Sequence, residues 1–97
     1  MTDDNCAFLT KLERVIAERR GSGAAGSYTT SLFAGGTPHI AQKVGEEAVE
    51  LAIAAVQSNR KRTVAEAADL VYHLLVLLAD ADLTLADVSA ELAERHR

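Results

Sequence analysis

Five acidic side chains in two short stretches are the residues of this chain most able to do chemistry. Glu46, Glu47 and Glu50 fall in the run Lys43-Val44-Gly45-Glu46-Glu47-Ala48-Val49-Glu50, and Glu66 and Asp69 follow in Glu66-Ala67-Ala68-Asp69. Read as helix, the four charged side chains of the first run lie within an arc of roughly 100°. Glu47 and Glu50 are three residues apart, and Glu46 and Glu50 four, spacings that make neighbours on a helix surface. Ile40, Val44, Leu51 and Ala55 flank one side of this strip, and Val49, Ile53 and Val56 the other. Carboxylates set between two apolar arcs need a cation or basic partners.

Two carboxylates about 5 Å apart repel by roughly 3 kcal/mol at an effective dielectric of about 20. Four such groups in a semi-apolar site must take up protons or bind a cation. An oxygen-only ligand set suits Mg²⁺ or Mn²⁺ better than zinc. Mg²⁺ held by a few carboxylates keeps waters and takes phosphate oxygens as further ligands. Two such ions can clamp an in-line displacement at phosphorus. The chemistry this points to is metal-assisted attack of water on a phosphoanhydride. The competing reading is a helical bundle whose acids simply pair with Lys43, Arg60 or Arg62.

The elements that must position these acids read as helices throughout. Hydrophobic residues make up 48% of the chain but aromatics only 4%, so the core is Ala, Leu and Val, and there is a single proline. Ala and Leu are among the best helix formers. Residues 4–20 predict a helix, with Phe8, Leu9, Leu12, Val15 and Ile16 at helical spacing. Residues 21–26, with three glycines, predict a flexible loop. It is not a phosphate-binding loop of the Gly-Lys-Ser/Thr kind. Residues 27–34 predict a short helix or turn, with Ser27 as N-cap; the alternative is that this run of hydroxyls touches phosphate. Gly35-Gly36 stops it.

Thr37-Pro38 opens the main helix, with Thr37 as N-cap and Pro38 at the first helical position, and this helix runs to about Ser58. Asn59-Arg60-Lys61-Arg62 is a basic connector. Thr63-Val64-Ala65-Glu66 has the form of a capping box, which offers Glu66 a purely structural role. That helix continues to about Ala81 and is apolar nearly all round, so it is buried in the core or at an oligomer interface. Its polar residues Glu66, Asp69, His73 and Asp80 fall on one stripe roughly 60° wide. Thr84 and Asp87 open a last helix with Leu85, Val88 and Leu92 on one face. Because the basic connector is short, the two acid-bearing helices pack antiparallel, and the pairs Glu47/Glu50 and Glu66/Asp69 face each other.

These residues resemble the phosphoribosyl-ATP pyrophosphohydrolase family of histidine biosynthesis, within the all-α (MazG-like) NTP pyrophosphohydrolase superfamily. The resemblance is carried by Lys43-Val44-Gly45-Glu46-Glu47-x-x-Glu50 and Glu66-x-x-Asp69-Leu70-x-Tyr72-His73-Leu74. It extends to Ser27-Tyr28-Thr29, Leu32-Phe33 and residues 83–88, covering residues 8–96. The acidic pairs alone identify only the superfamily. The resemblance implies hydrolysis of phosphoribosyl-ATP to phosphoribosyl-AMP and pyrophosphate, with water attacking the α-phosphorus and Mg²⁺ or Mn²⁺ as cofactor. It makes Glu47, Glu50, Glu66 and Asp69 the metal ligands. Glu46 is then either a further ligand or the group that orients water, with Glu47 the other candidate catalytic carboxylate. Lys43, Ser27, Tyr28 and Thr29 are the candidates for binding substrate, Lys43 alternatively pairing with Glu47. His73, four residues after Asp69, is either its supporting partner or a satisfied core histidine. Tyr72 lies off the acidic stripe and reads as packing. Two other functions compete: cleansing of free (d)NTPs, and a non-enzymatic helical interaction module.

At 97 residues the expectation is one domain spanning 1–97, an all-α antiparallel bundle of four to five helices completed by oligomerisation. Relatives carry such a domain behind a cyclohydrolase; this sequence is too short for that and is expected to be a stand-alone hydrolase, dimeric or larger. A net charge of −4 argues against a nucleic-acid coat. No apolar run reaches the roughly 18 residues of a membrane span, and the acidic N-terminus is not a secretory signal. Cys6 is the only cysteine, which makes a reducing cytoplasm the default.

Overall fold

The computed structural model describes residues 6–22 and 27–97. The described residues form four helices and no strand: α1 (Ala7–Ser22), α2 (Tyr28–Val56), α3 (Arg60–Asp80) and α4 (Leu85–Arg95). The all-α expectation holds. Residues 4–5 of the expected first helix, and 23–26 of the expected glycine loop, lie outside the described residues. Gly21 and Ser22, read from sequence as loop, continue α1 instead. Just before them, Arg20 donates to the Ala79 carbonyl oxygen at 2.7 Å and to Asp82 Oδ1 at 2.6 Å, fastening the end of α1 to the end of α3.

Ile16 of α1, Leu32 and Ile40 of α2, and Leu75 and Val76 of α3 are the fully buried large side chains and form one cluster. α3 therefore supplies the centre, as its all-round apolar character predicts, and α2 is its main partner. α4 contributes no buried residue. It is held by its own capping box, Thr84 with Asp87, and by Glu13, whose carboxylate accepts from the Leu85 N–H at 2.7 Å.

α2 is two helices joined at a break. Gly36, at φ 84° and ψ 173°, is its single non-helical residue. The cap position before the main helix thus falls on Gly36 and not, as expected, on Thr37. The Thr37 hydroxyl instead donates to Asp80 Oδ2 at 2.6 Å, tying this corner to the C-terminal end of α3. Beyond the break the N-terminal segment is capped as expected, with Ser27 Oγ accepting from the Thr30 N–H at 3.3 Å.

The break decides where Tyr28 goes. A straight helix would carry Tyr28 roughly 13 Å past Thr37, beyond the end of α3, at about 1.5 Å per residue. Instead Tyr28 bonds His73, two turns back from Asp80. The chain reverses at Gly36 and lays its hydroxyl-bearing segment along α3.

The α2–α3 turn also differs from expectation. Asn59, not Thr63, caps α3: its Oδ1 accepts from the Arg62 N–H at 3.0 Å. Thr63 already lies inside the helix, where its hydroxyl donates to the Asn59 carbonyl oxygen at 2.7 Å. Arg60, Lys61 and Arg62 are the first turn of α3, not a connector. With no capping box at Thr63, Glu66 is released from that role.

Candidate active site

The main part of α2 and α3 run antiparallel, so residues ascending one helix meet residues descending the other. Glu47 and Glu50 of α2 come opposite Asp69 and Glu66 of α3. One carboxylate oxygen from each of Glu47, Glu66 and Asp69 lies within 4.8 Å of the other two. Glu50 sits within hydrogen-bonding reach of both Glu66 and Glu47. The four acids that sequence spacing paired are therefore gathered at one place. The cluster is graded: Glu47 is buried, Glu66 half-buried, and Asp69 and Glu50 exposed, so it opens to solvent on one side.

Its electrostatics match the crowding. Burial, reinforced by the charge of Glu50, pushes the Glu47 carboxyl above the usual carboxylate range. The hydrogen bond with Glu50, then burial, does the same to Glu66. Glu66 Oε2 is buried and has no hydrogen-bond partner. An orphaned carboxylate oxygen on a member of an acidic cluster is what a hard cation would satisfy. All the donors are carboxylate oxygens, which fits Mg²⁺ or Mn²⁺ rather than zinc.

Glu46 and Lys43 stand beside the cluster. Glu46 Oε1 is 3.3 Å from Lys43 Nζ, and its Oε2 accepts from Gln42 Nε2 at 2.9 Å. These contacts, Gln42 first, hold the Glu46 carboxyl below its usual range, and the bond to Glu46 raises Lys43. The partner expected for Lys43 within the chain is Glu47; the contact made is with Glu46. Gln42 escaped the sequence reading, although its i,i+4 spacing to Glu46 was a usable signal.

A second polar group lies on the α3 side. His73 is 5% exposed. Its Nδ1 is 2.7 Å from the Asp69 backbone carbonyl oxygen and its Nε2 is 2.8 Å from the Tyr28 hydroxyl. It is a satisfied core histidine, and its contact with Asp69 is to the backbone carbonyl oxygen and not the carboxylate. Thr29 Oγ1 hydrogen-bonds the Tyr72 hydroxyl. The Tyr28 and Tyr72 rings stack with centroids 6.1 Å apart and planes 26° from parallel. Tyr72 packs, as expected, and its hydroxyl also bonds Thr29. Ser27 caps its helix through the Thr30 N–H.

An all-helical frame that presses four carboxylates together across two antiparallel helices, with hydroxyls and a lysine alongside, has the makings of an all-α hydrolase acting on a phosphoanhydride. Residues 9–96 match the family described as phosphoribosyl-ATP pyrophosphohydrolase, and the chain belongs to that family. It is 57% identical over 95 residues to the histidine biosynthesis bifunctional protein HisIE of Pasteurella multocida, covering 98% of this chain and 47% of that one. It is 54% identical over 89 residues to the protein of the same name from Photobacterium profundum, covering 92% and 43%. For the Campylobacter jejuni protein of that name the figures are 52% over 90 residues, 93% and 44%. The chain spans about half the length of the curated relatives it matches.

Proposed function

We propose that this chain hydrolyses phosphoribosyl-ATP to phosphoribosyl-AMP and pyrophosphate, a step of histidine biosynthesis. A water oxygen bonds the α-phosphorus, the bond from that phosphorus to the bridging oxygen of the β-phosphate breaks, and pyrophosphate leaves. The observation that carries this reading is the cluster of Glu47, Glu66 and Asp69, with its orphaned buried oxygen, in a chain of this family.

Glu47, Glu50, Glu66 and Asp69 would hold Mg²⁺ or Mn²⁺. Bound there, a divalent ion supplies charge neutralisation for the phosphates and lowers the pKa of a bound water. The chain's own residues do the rest. Glu46, kept ionised by Gln42 and Lys43, stands at the rim as the group to orient water, with Glu47 the alternative. Lys43 exchanges Glu46 for a phosphate oxygen of the substrate. Tyr28 and Thr29, whose hydroxyls are tied to α3 through His73 and Tyr72, line the substrate side; Ser27 holds the start of their helix.

A homodimer or larger assembly accompanies this reading. Val49, Ile53 and Val56 form an exposed apolar row on α2, beside a groove that Glu46 and Glu50 also line. Such a row is expected to be covered by a second copy. No helix of the described residues is long and apolar enough to cross a membrane, and a cytoplasmic site of action fits the pathway.

The test is pyrophosphate release from phosphoribosyl-ATP, with ATP and dUTP in parallel, each with Mg²⁺ and with EDTA. Mg²⁺-dependent turnover of phosphoribosyl-ATP alone is expected. Glu47→Gln and Glu66→Gln should each lower it at least about a hundredfold with helix content intact. Turnover of the free nucleotides instead would assign the chain to nucleotide cleansing, and no turnover of any substrate would reject the hydrolase reading.

A further inference from the structure

We propose that the open face of Tyr28 is the platform on which the purine base of the substrate stacks. The inference rests on the phosphoribosyl-ATP reading above and names a residue that reads the base.

Tyr28 is 52% exposed, yet its ring is held from three directions. Tyr72 stacks against it, His73 meets it edge-on with centroids 5.8 Å apart, and its hydroxyl is bonded to His73 Nε2 at 2.8 Å. An exposed ring fixed in this way has already lost the freedom that a ligand would otherwise have to remove, so stacking on it costs little side-chain entropy. The ring also stands at the reacting end of the molecule. It is one imidazole away from the backbone of Asp69, and Lys43 and Glu47 are among its electrostatic neighbours.

No other tyrosine or phenylalanine ring has this combination. The sequence holds two tyrosines, two phenylalanines and no tryptophan. Phe33 packs against the core. Phe8 is exposed but lies in an apolar groove with Leu12, Ala68 and Val71. Tyr72 is half-buried.

The chemistry of the base favours a face over an edge. In phosphoribosyl-ATP the adenine N1 carries the second ribose, which blocks the edge that side-chain hydrogen bonds would read. Alkylation at N1 also makes the ring system more basic than adenine, and a positively charged flat group is drawn to an aromatic face.

The test uses the full chain with Mg²⁺. Tyr28→Leu removes the ring; Tyr28→Phe keeps the face and removes only the bond to His73. Inorganic tripolyphosphate, which has the phosphates without the base, serves as the competing inhibitor. The leucine variant should raise KM for phosphoribosyl-ATP about tenfold and move tripolyphosphate inhibition by less than about twofold. The phenylalanine variant should keep KM within about threefold of wild type. Equal weakening of substrate and tripolyphosphate would make Tyr28 a scaffold residue, and equal loss in both variants would assign the effect to the hydroxyl; either overturns the platform. Should the leucine variant lose helix content, inhibition of the wild type by 1-methyladenosine and adenosine decides. Stronger inhibition by 1-methyladenosine, unchanged in the phenylalanine variant, supports the platform, and equal or absent inhibition overturns it. Wild-type protein inert toward phosphoribosyl-ATP is a different result, and it overturns the functional reading itself.

Discussion

The Tyr28 hydroxyl and the His73 ring define each other's protons. His73 Nδ1 lies 2.7 Å from the carbonyl oxygen of Asp69, which can only accept, so the neutral ring carries its proton on Nδ1. Nε2 is then an acceptor, and the Tyr28 hydroxyl, 2.8 Å away, is its donor. One buried imidazole thus joins the first turn of α2 to the acid-bearing part of α3.

That tautomer is directly observable. Nitrogen NMR of the neutral His73 ring should show a protonated Nδ1 and an unprotonated Nε2, the reverse of what the free histidine side chain prefers. His73→Leu keeps most of the volume but leaves the Tyr28 hydroxyl without its acceptor. It should cost about 1–3 kcal/mol in urea unfolding. An Nε2-protonated ring would contradict the hydrogen-bond direction.

The acidic cluster sets a pH dependence with a definite sign. Glu47 and Glu66 have folded pKa values raised above their unfolded ones, by burial first for Glu47 and by the bond to Glu50 first for Glu66. Between the unfolded and folded values the native state holds more protons than the unfolded chain. These groups therefore lower stability as pH rises through that window. Glu46, held low, acts oppositely and at lower pH, so the comparison is with Glu66→Gln and not with wild type alone. In EDTA the melting temperature of that variant should exceed wild type near neutrality. The gap should close below the usual carboxylate range. Excess Mg²⁺ should shrink it at neutral pH by binding the wild-type cluster. A gap independent of pH would mean that the Glu66 carboxyl is not proton-linked to folding.

Gly36 carries the fold-back that brings Tyr28 to His73. Its φ of 84° with ψ of 173° belongs to a region that is essentially glycine-only. Gly36→Ala should destabilise by about 1–3 kcal/mol. It should also weaken the Tyr28–His73 contact, read as a shift of the His73 Nε2 resonance. Gly35 is restricted for a different reason: an added Cβ would lie 2.7 Å from the His39 ring. An alanine at position 36 that left both stability and that resonance unchanged would show that the break has another cause.

The helix start at α3 separates two candidate caps. Asn59→Ala removes the observed cap and should cost about 1 kcal/mol. Thr63→Ala removes only a hydroxyl that bonds back to the Asn59 carbonyl oxygen, and should cost less than about 0.5 kcal/mol. Thermal or urea unfolding of the two variants ranks them. The reverse order would restore the capping box and with it a structural role for Glu66.

That last case shows where sequence reading stops. Asn59 and Thr63 are both competent caps, four residues apart, and Glu66 suits a capping box at Thr63 as well as it suits an acidic cluster. Local spacing cannot choose between them; starting α3 at Arg60 does. Glu46 shows the same limit. It is adjacent to Glu47, but the roughly 100° step between neighbours turns it toward Gln42 and Lys43 while Glu47 faces α3. Tyr72 read as packing because its links to Thr29 and Tyr28 cross more than forty residues.

The sequence by itself determined the helices, the caps at Ser27 and Thr84, and the two acidic pairs. It also placed those pairs opposite each other, because a short turn between two amphipathic helices leaves antiparallel packing as the economical arrangement. Helical period and i,i+3 spacing are properties of near neighbours, so they survive without a structure. Only the tertiary structure decided that Glu66 is free to face Glu47, that His73 bonds the backbone of Asp69, and that Tyr28 returns to α3 beside His73. Each depends on where one helix starts or on the angle at one glycine, and a change of a few degrees there moves a side chain by ångströms a turn or two away.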